Sequence, residues 1–300
     1  MSLAMHAFAS FAFTIIVCQP AQAQDDAFIK RGAYLVNGSL ACANCHTPRA
    51  PDRSLLTDKH LAGGNRFVNP GKYDAYAANI TPDKDTGIGS LTDEQIITAI
   101  RTGKTREGKI MFPPMPVETY NTMSDDDVRA VVAYLRSIKP VHNEVSVSKW
   151  FIPQEPMPPA KGLPAPPPTD KVAYGGYIVN SLAHCFECHS TPGPSRARDF
   201  ARGLGGGGNL LTLASGITVR TANITQDKET GIGKWSDADI KKAITEGVRP
   251  DGRHLSPPMP FPWFQNMTDQ DLDAVVAYLR TVPPIKNTVE RTDFQKANFK

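Results

Sequence analysis

The 300-residue sequence is poor in cysteine, in long apolar runs and in net charge, and each shortage excludes a class of protein. Five cysteines are too few for a scaffold built on disulfides. Beyond residue 23, no segment approaches the roughly 18 apolar residues of a membrane-spanning helix. The formal net charge is only +3, so no basic surface for nucleic acid is predicted.

The first 23 residues have the features of an export signal. Residues 3–17 are apolar and carry no Lys, Arg, Asp or Glu, and residues 21–23 (Ala-Gln-Ala) form a small-x-small cleavage pattern. Lipidation at Cys18 is the alternative, but a bulky valine precedes that cysteine. We therefore expect a signal peptide at 1–23 and a periplasmic mature protein, either free or held at the membrane by a partner.

The four remaining cysteines form two groups with one spacing, C-x-x-C-H. Two thiols at this spacing can add to the two vinyl groups of one porphyrin, and the adjacent imidazole then reaches the iron from one face. The two groups are Cys42, Cys45 and His46, and Cys185, Cys188 and His189. The sequence therefore predicts two covalently bound haems c, with His46 and His189 as the first axial ligands.

Two other interpretations of the cysteine pairs are weaker. A zinc site gathers four ligands from neighbouring pairs, whereas these pairs lie 143 residues apart in a repeated background. A thioredoxin-like dithiol would require a βαβ context, and the sequence has none.

The chain contains two copies of one unit. Matching segments are offset by 143 residues up to the second C-x-x-C-H group and by 144 after it, which places a one-residue insertion there. Besides the haem motifs, the matches are 32–37 with 175–180, 63–65 with 207–209, 79–81 with 223–225, 86–89 with 230–233, 113–116 with 257–260 and 130–136 with 274–280. We predict a first domain at 24–145 (the first repeat), a linker at 146–169, a second domain at 170–288 (the second repeat) and a tail at 289–300.

The predicted linker has eight prolines between residues 153 and 168, a composition typical of a semi-rigid spacer. The alternative is a strap that packs over both domains, with Trp150 and Phe151 as anchors. The sequence leaves both interpretations open.

The periodicity of each repeat is helical, with apolar residues at i, i+3, i+4 and i+7 before its end. We predict helices over about 26–37 and 171–180 and helices that begin at four N-caps. These caps are Thr92, Ser124, Ser236 and Thr268. Because little alternation is present, no sheet is expected.

The sixth ligand of each iron separates an electron carrier from a catalyst, because a Met/His pair fills the coordination sphere and raises the potential. Met123 and Met267 precede helix caps in the position of a hydrophobic staple, which favours a packing role. Met115 and Met259 lie in Pro-Pro-Met-Pro loops, whose rigid prolines can present a thioether. The predicted axial pairs are His46 with Met115 and His189 with Met259.

An axial histidine is usually oriented by a carbonyl that accepts its imidazole N–H, and the sequence offers a candidate for each histidine. Pro48 and Pro192 follow the two histidines at short distance along the chain. We expect their carbonyls to accept the imidazole N–H groups.

Each repeat resembles a class I cytochrome c domain, with C-x-x-C-H near its start, a methionine about 70 residues later and Tyr-Leu in its last helix. The resemblance implies that the first and last helices cross, with Gly32 against Tyr134 and Gly175 against Tyr278. The stretches 79–89 and 223–233, followed by Pro-Pro-Met-Pro, are similar to the cytochrome subunits of periplasmic alcohol, aldehyde and related dehydrogenases. Together these features cover residues 26–285.

The resemblance implies an all-α fold of two tandem class I cytochrome c-like domains, each wrapping one haem. It also implies a dihaem electron-transfer protein, not itself an enzyme. It would accept electrons from a dehydrogenase and pass them to a cytochrome, an oxidase or a quinone-linked acceptor of the respiratory chain. The alternatives are a dihaem enzyme of the peroxidase or thiosulfate-oxidising type, with one labile haem position, and a subunit that mainly anchors a catalytic partner.

Overall fold

The computed structural model describes residues 21–111, 113–153, 155–158, 164–190, 204–212, 218–255 and 257–290. The predicted signal peptide lies outside these ranges except for its last three residues, and the predicted tail except for its first two. Within the described ranges, no helix has both the length and the apolar character needed to cross a membrane.

The two repeats have matching orders of elements. The first contains α1 (Ala21–Asn37), α2 (Cys42–His46), a 3₁₀ turn (Thr57–Lys59), β1 (Arg66–Asn69), β2 (Tyr73–Tyr76), α3 (Asp93–Thr102), α4 (Val117–Tyr120) and α5 (Asp125–Ser137), and β3 (Lys149–Trp150) follows it. The second contains α6 (Lys171–Tyr177), a π-helical turn (Ile178–Leu182), α7 (Cys185–His189), β4 (Leu210–Thr212), β5 (Thr218–Arg220), α8 (Asp237–Thr245), α9 (Phe261–Phe264) and α10 (Asp269–Leu279).

All four predicted N-caps are confirmed. Thr92 and Ser236 form reciprocal capping boxes, in which the side chain three residues on also bonds back to the cap. The hydroxyls of Ser124 and Thr268 accept the backbone N–H groups of Asp127 and Asp271. The acidic first turns of α5 and α10 add a favourable interaction with the helix dipoles.

The expectation of a purely helical fold was wrong in one respect, because short strands are present. β1, β2 and β3 form an antiparallel sheet in that order, and β4 pairs with β5 in a hairpin. These strands have at most four residues, too few for a period of two to stand out. β3 also comes from the predicted linker, so its pairing is non-local and leaves no signal in its own sequence.

The segment after β3 packs on the first repeat. The backbone N–H of Phe151 donates to the Lys72 carbonyl at 2.8 Å, and that of Met157 donates to the Thr102 carbonyl at 3.0 Å. The Trp150 indole is half-buried, whereas Phe151 is 60% exposed. Of the two predicted anchors, only the Trp150 side chain is therefore partly buried against the first repeat.

The predicted crossing of first and last helices is confirmed in both repeats. A Cβ atom on Gly32 would lie 1.9 Å from the Ala130 carbonyl oxygen, and one on Gly175 would lie 1.8 Å from that of Ala274. Only glycine allows the backbones of α1 and α5, and of α6 and α10, to approach this closely. The two starting helices differ from the predicted bounds: α1 begins at Ala21, and α6 passes into the π-helical turn.

The two repeats contact each other through a reciprocal pair of hydrogen bonds. The Tyr34 hydroxyl donates to Asp271 Oδ2 at 2.6 Å, and the Tyr177 hydroxyl donates to Asp127 Oδ2 at 2.7 Å. The tyrosines are equivalent positions of the two repeats, and so are the aspartates. The interface therefore has approximate two-fold symmetry.

Each tyrosine reaches the N-terminus of the last helix of the other repeat. The Tyr34 oxygen accepts the N–H of Thr268 at 3.2 Å, and the Tyr177 oxygen accepts that of Ser124 at 3.0 Å. Burial, followed by the bond to or the charge of the aspartate, raises the pKa of both tyrosines above the ordinary value. Both hydroxyls therefore remain protonated donors at neutral pH.

Replacing Tyr177 by phenylalanine tests this interface. Y177F removes a donor from the buried Asp127 carboxylate, so we expect the free energy of unfolding to fall by about 1–3 kcal/mol. Because the folded-state pKa is raised, the tyrosine's contribution is present below its unfolded-state pKa of about 10 and is lost at higher pH. Denaturant unfolding at pH 7 and above pH 10 should show the gap between parent and variant narrowing.

The matched control is Y76F on β2, a tyrosine outside this interface whose ring lies near Arg66. This variant should stay within about 0.5 kcal/mol of the parent. Equal stabilities of Y177F and the parent at pH 7 would contradict the role of the reciprocal bonds.

Candidate haem-binding site

One cavity of about 2490 Å³ extends across both repeats, and many of the side chains that line it are apolar. Its lining includes all eight predicted haem-binding residues: Cys42, Cys45, His46, Met115, Cys185, Cys188, His189 and Met259. Two thiols, an imidazole and a thioether from each repeat thus border a common space. This donor set fits two covalently attached haems.

Both histidines are oriented by a backbone carbonyl. His46 Nδ1 lies 2.7 Å from the Ala78 carbonyl oxygen, and His189 Nδ1 lies 2.7 Å from that of Ala222. Since a carbonyl only accepts, Nδ1 carries the proton and Nε2 keeps its lone pair for a metal. Burial lowers the pKa of both histidines against the opposing effect of the carbonyl, which favours the neutral ligand form.

The carbonyls that orient the histidines are not the predicted ones. The Pro48 carbonyl accepts the N–H of Leu56 at 2.9 Å instead, and Pro192 lies outside the described residues. The observed acceptors come from segments about 32 residues further along the chain. Proximity in sequence was therefore a poor guide to this partner.

The repeated Asn-Ile-Thr and Thr-Gly-Ile-Gly motifs hold the carbonyl segment in place. Asn79 follows Ala78, is buried, and accepts from the Thr81 N–H and hydroxyl at 3.0 and 2.8 Å. Its amide donates to the Thr86 hydroxyl at 2.9 Å and to the Val141 carbonyl at 2.8 Å. In the second repeat, Asn223 makes the same bonds to Thr225, Thr230 and Ile285.

The Gly-Gly-Asn motif brings the same segment close to the histidine. The Gly63 N–H donates to the His46 carbonyl at 2.7 Å, and its φ of +76° favours glycine. A Cβ atom there would lie 2.5 Å from the Ala77 carbonyl oxygen. Asn65 completes the motif, since its amide donates to the carbonyls of Cys45 and Thr47 at 2.8 and 2.7 Å.

Three of the haem-motif cysteines, Cys42, Cys45 and Cys185, lie in a strongly desolvated environment. Burial raises the pKa of Cys42 and Cys185 to about 12 and that of Cys45 to about 11. Such thiols are not activated nucleophiles, because reactivity requires the thiolate. Their surroundings suit residues that are buried against an apolar cofactor.

The two methionine pairs differ in their surroundings. Met115 and Met259 are partly buried, follow cis Pro-Pro bonds, and precede α4 and α9. Met123 and Met267 are almost fully buried in the hydrophobic core, as expected of staple residues, although they also reach the cavity wall.

The two C-x-x-C-H groups lie close together at the junction of the repeats. The Tyr120 ring meets the His184 ring edge-on with centroids 6.1 Å apart, and the Arg49 guanidinium lies 5.9 Å from the Trp263 ring. Burial is the main cause of the raised Cys45 pKa, and the Glu187 carboxylate of the other motif adds to it. Nothing in the sequence around either motif predicts this closeness.

Two family models match separate stretches of the chain. Residues 27–135 match the model described as cytochrome c oxidase, cbb3-type, subunit III, and residues 175–283 match the cytochrome c model. In both halves the chain therefore belongs to the c-type cytochromes. Cytochrome c domains carry covalently bound haem.

The chain is also similar to three named cytochromes. The cytochrome c subunit of the quinone alcohol dehydrogenase of Gluconobacter oxydans is 32% identical over 88% of this chain and 57% of its own length. The fructose dehydrogenase cytochrome subunit of Gluconobacter japonicus is 33% identical over 85% and 52%. A diheme cytochrome c-type protein of Cereibacter sphaeroides is 29% identical over 82% and 83%. The chain thus spans little more than half of the two dehydrogenase subunits.

The variant N65A tests how the site is held. It removes two hydrogen bonds to partly buried carbonyls beside the first haem motif, so we expect the free energy of unfolding to fall by about 1–3 kcal/mol. N44A is the control, because the Asn44 side chain bonds to exposed Arg49 and should matter by less than about 0.5 kcal/mol. Equal denaturation midpoints for the two variants would refute a supporting role for Asn65.

Proposed function

We propose that this protein is a dihaem cytochrome c that transfers electrons. The first haem is attached to Cys42 and Cys45 and the second to Cys185 and Cys188. His46 and Met115 are the axial ligands of the first iron, and His189 and Met259 those of the second. The observation that carries the proposal is the presence of all eight side chains in the lining of one cavity.

A haem of this kind takes up and releases one electron at its iron. The chain's own residues determine where this happens and at what potential. The Ala78 and Ala222 carbonyls keep each imidazole in the tautomer that leaves Nε2 available. Apolar side chains such as Ile96 and Leu135 border the cavity and exclude water, and burial is one of the factors that sets a haem potential.

The closeness of the two motifs supports a relay inside one chain. Tyr120 and His184 bring the segments around the two C-x-x-C-H groups into contact, and the reciprocal Tyr–Asp bonds hold the repeats in a fixed relation. An electron that enters at one haem can then pass to the other without rearrangement of the chain.

The donor we propose is a substrate-oxidising dehydrogenase, because the relatives include cytochrome subunits of alcohol and fructose dehydrogenases. The downstream acceptor would be another cytochrome, an oxidase or a quinone-linked component of the respiratory chain. The predicted signal peptide at 1–23 supports a periplasmic location. We further propose that 24–145 and 170–288 fold as one cytochrome c domain each.

The rival proposal, a dihaem enzyme, requires an iron with an open or exchangeable position. Pro-Pro-Met-Pro loops border the cavity in both repeats, so each iron has a thioether within the lining of its site. The names of the relatives also favour an electron-transfer subunit. The dihaem-enzyme hypothesis is therefore not favoured.

Carbon monoxide tests the ligands directly. The purified, reduced protein should contain two haems per chain and keep its spectrum when carbon monoxide is added, because both irons are closed. M115A should make half of the haem absorbance responsive, and M259A the other half. M123L should leave both irons closed, since it replaces a core methionine by a residue of similar volume.

Three outcomes would count against this assignment. One haem per chain would remove the dihaem proposal. A parent protein that binds carbon monoxide would move the enzyme to first place. A response in M123L with none in M115A would transfer the ligand role to the other methionine pair.

A further inference from the structure

The described residues of segment 149–158 (149–153 and 155–158), which we call the strap, lie against the first repeat on the side of the Met115 loop. It begins as β3, where Trp150 pairs with Tyr73, and it is held again where the Met157 N–H bonds to Thr102. Near its end, the Asn121 amide also donates to the Pro158 carbonyl at 2.9 Å. The strap is therefore fixed to the first repeat at both of its ends.

One side chain of the strap contacts the loop that carries Met115. The indole N–H of Trp150 donates to the Pro113 carbonyl oxygen at 2.8 Å. Pro113 lies two residues before Met115, at the start of the Pro-Pro-Met-Pro sequence. A tryptophan N–H that is withdrawn from water normally finds a partner, and for the half-buried Trp150 that partner is the backbone of the Met115 loop.

The strap also forms part of the cavity wall. Trp150, Ile152, Pro153 and Glu155 all line the cavity. The strap therefore shields part of the first haem site from solvent, and it also holds the Met115 loop.

The second repeat lacks this arrangement in the part of the chain that the structure describes. Within the described residues its sheet has two strands, β4 and β5, and no third strand in the position of β3. At the offset of 144, the counterpart of Trp150 is Phe294, which lies outside the described residues. A phenylalanine ring has no N–H, so it cannot make the bond that Trp150 makes.

We propose that Trp150 is a positioning residue for the axial methionine of the first haem and that it makes the two haem sites unequal. This inference rests on the proposed function, because it presumes a haem at each site. The indole holds the Met115 loop in place and the strap keeps water away from it. Methionine ligation and burial both favour the reduced iron, so the first haem has the higher potential.

A redox titration with W150F tests the proposal, because this variant keeps an aromatic ring and removes only the N–H. The parent should titrate in two waves. In W150F the higher wave should move to lower potential while the other stays in place, and up to half of the haem absorbance should become responsive to carbon monoxide. M115A identifies which wave belongs to the first haem.

F151L is the matched control. Phe151 is the next residue and is mostly exposed, and only its backbone N–H holds the strap. Both redox waves of F151L should coincide with those of the parent protein. A merely structural role of Trp150 would lower the unfolding midpoint and leave both potentials unchanged.

A second variant covers the case in which W150F does not accumulate. M157P removes the N–H that bonds to Thr102 at the far end of the strap, without touching Trp150. It should shift the same wave in the same direction by a smaller amount.

The two proposals fail in different ways. A parent with fewer than two haems or with an open iron would defeat the proposed function. A closed dihaem parent whose waves are unchanged in W150F, or shift equally, would defeat only the role of Trp150.

Discussion

The hydrogen bond from the His46 imidazole to the Ala78 carbonyl, with its counterpart from His189 to Ala222, is the constraint on which the architecture of each repeat depends. It joins two segments that are distant in sequence. A metal-binding histidine needs one protonated and one free nitrogen, so something must select the tautomer. In this chain a main-chain carbonyl selects it, and no further side chain is required.

Much of the repeated sequence is explained by that bond. The glycine at 63 permits the close approach of the two backbones, and Asn79 fixes the carbonyl segment to the chain beyond the last helix. Thr81 and Thr86 complete the network that keeps Asn79 in place. Motifs that look like family markers in the sequence are therefore parts of one support for the proximal ligand.

The second level of organisation is the contact between repeats. A tyrosine from the first helix of each repeat donates to a buried aspartate at the N-terminus of the last helix of the other repeat. These last helices also cross the glycines of their own first helices. The same helices therefore close each repeat and join it to its neighbour, which places both haem motifs in one cavity.

Local features were accessible from the sequence. The N-caps and the burial of Met123 and Met267 depend on residues whose spacing can be recognised directly, whereas the Gly32 and Gly175 crossings are implied by the resemblance to class I cytochrome c domains. The grouping of the eight candidate site residues also follows from the repeat, because a duplicated pattern separates functional positions from incidental ones.

Features that depend on pairing between distant segments were missed. The predicted acceptor for His46 is the nearby Pro48, whereas the observed one is the distant Ala78, and the strands are too short to leave a periodic signal. The packing role of the strap follows from the contacts of Trp150, which composition alone does not reveal. Tyr34 and Tyr177 occupy equivalent positions in the two repeats, which is consistent with a shared role. Their spacing does not indicate that each one bonds to an aspartate of the other repeat.

In the proposed holoprotein, two haems occupy one cavity and each iron lies between a histidine and a methionine from the same repeat. Anomalous diffraction at the iron edge from crystals of the exported protein can locate both irons. We predict two iron peaks, one between His46 Nε2 and Met115 Sδ and the other between His189 Nε2 and Met259 Sδ. A single peak, or an iron whose sixth position is empty or filled by another residue, would contradict the account.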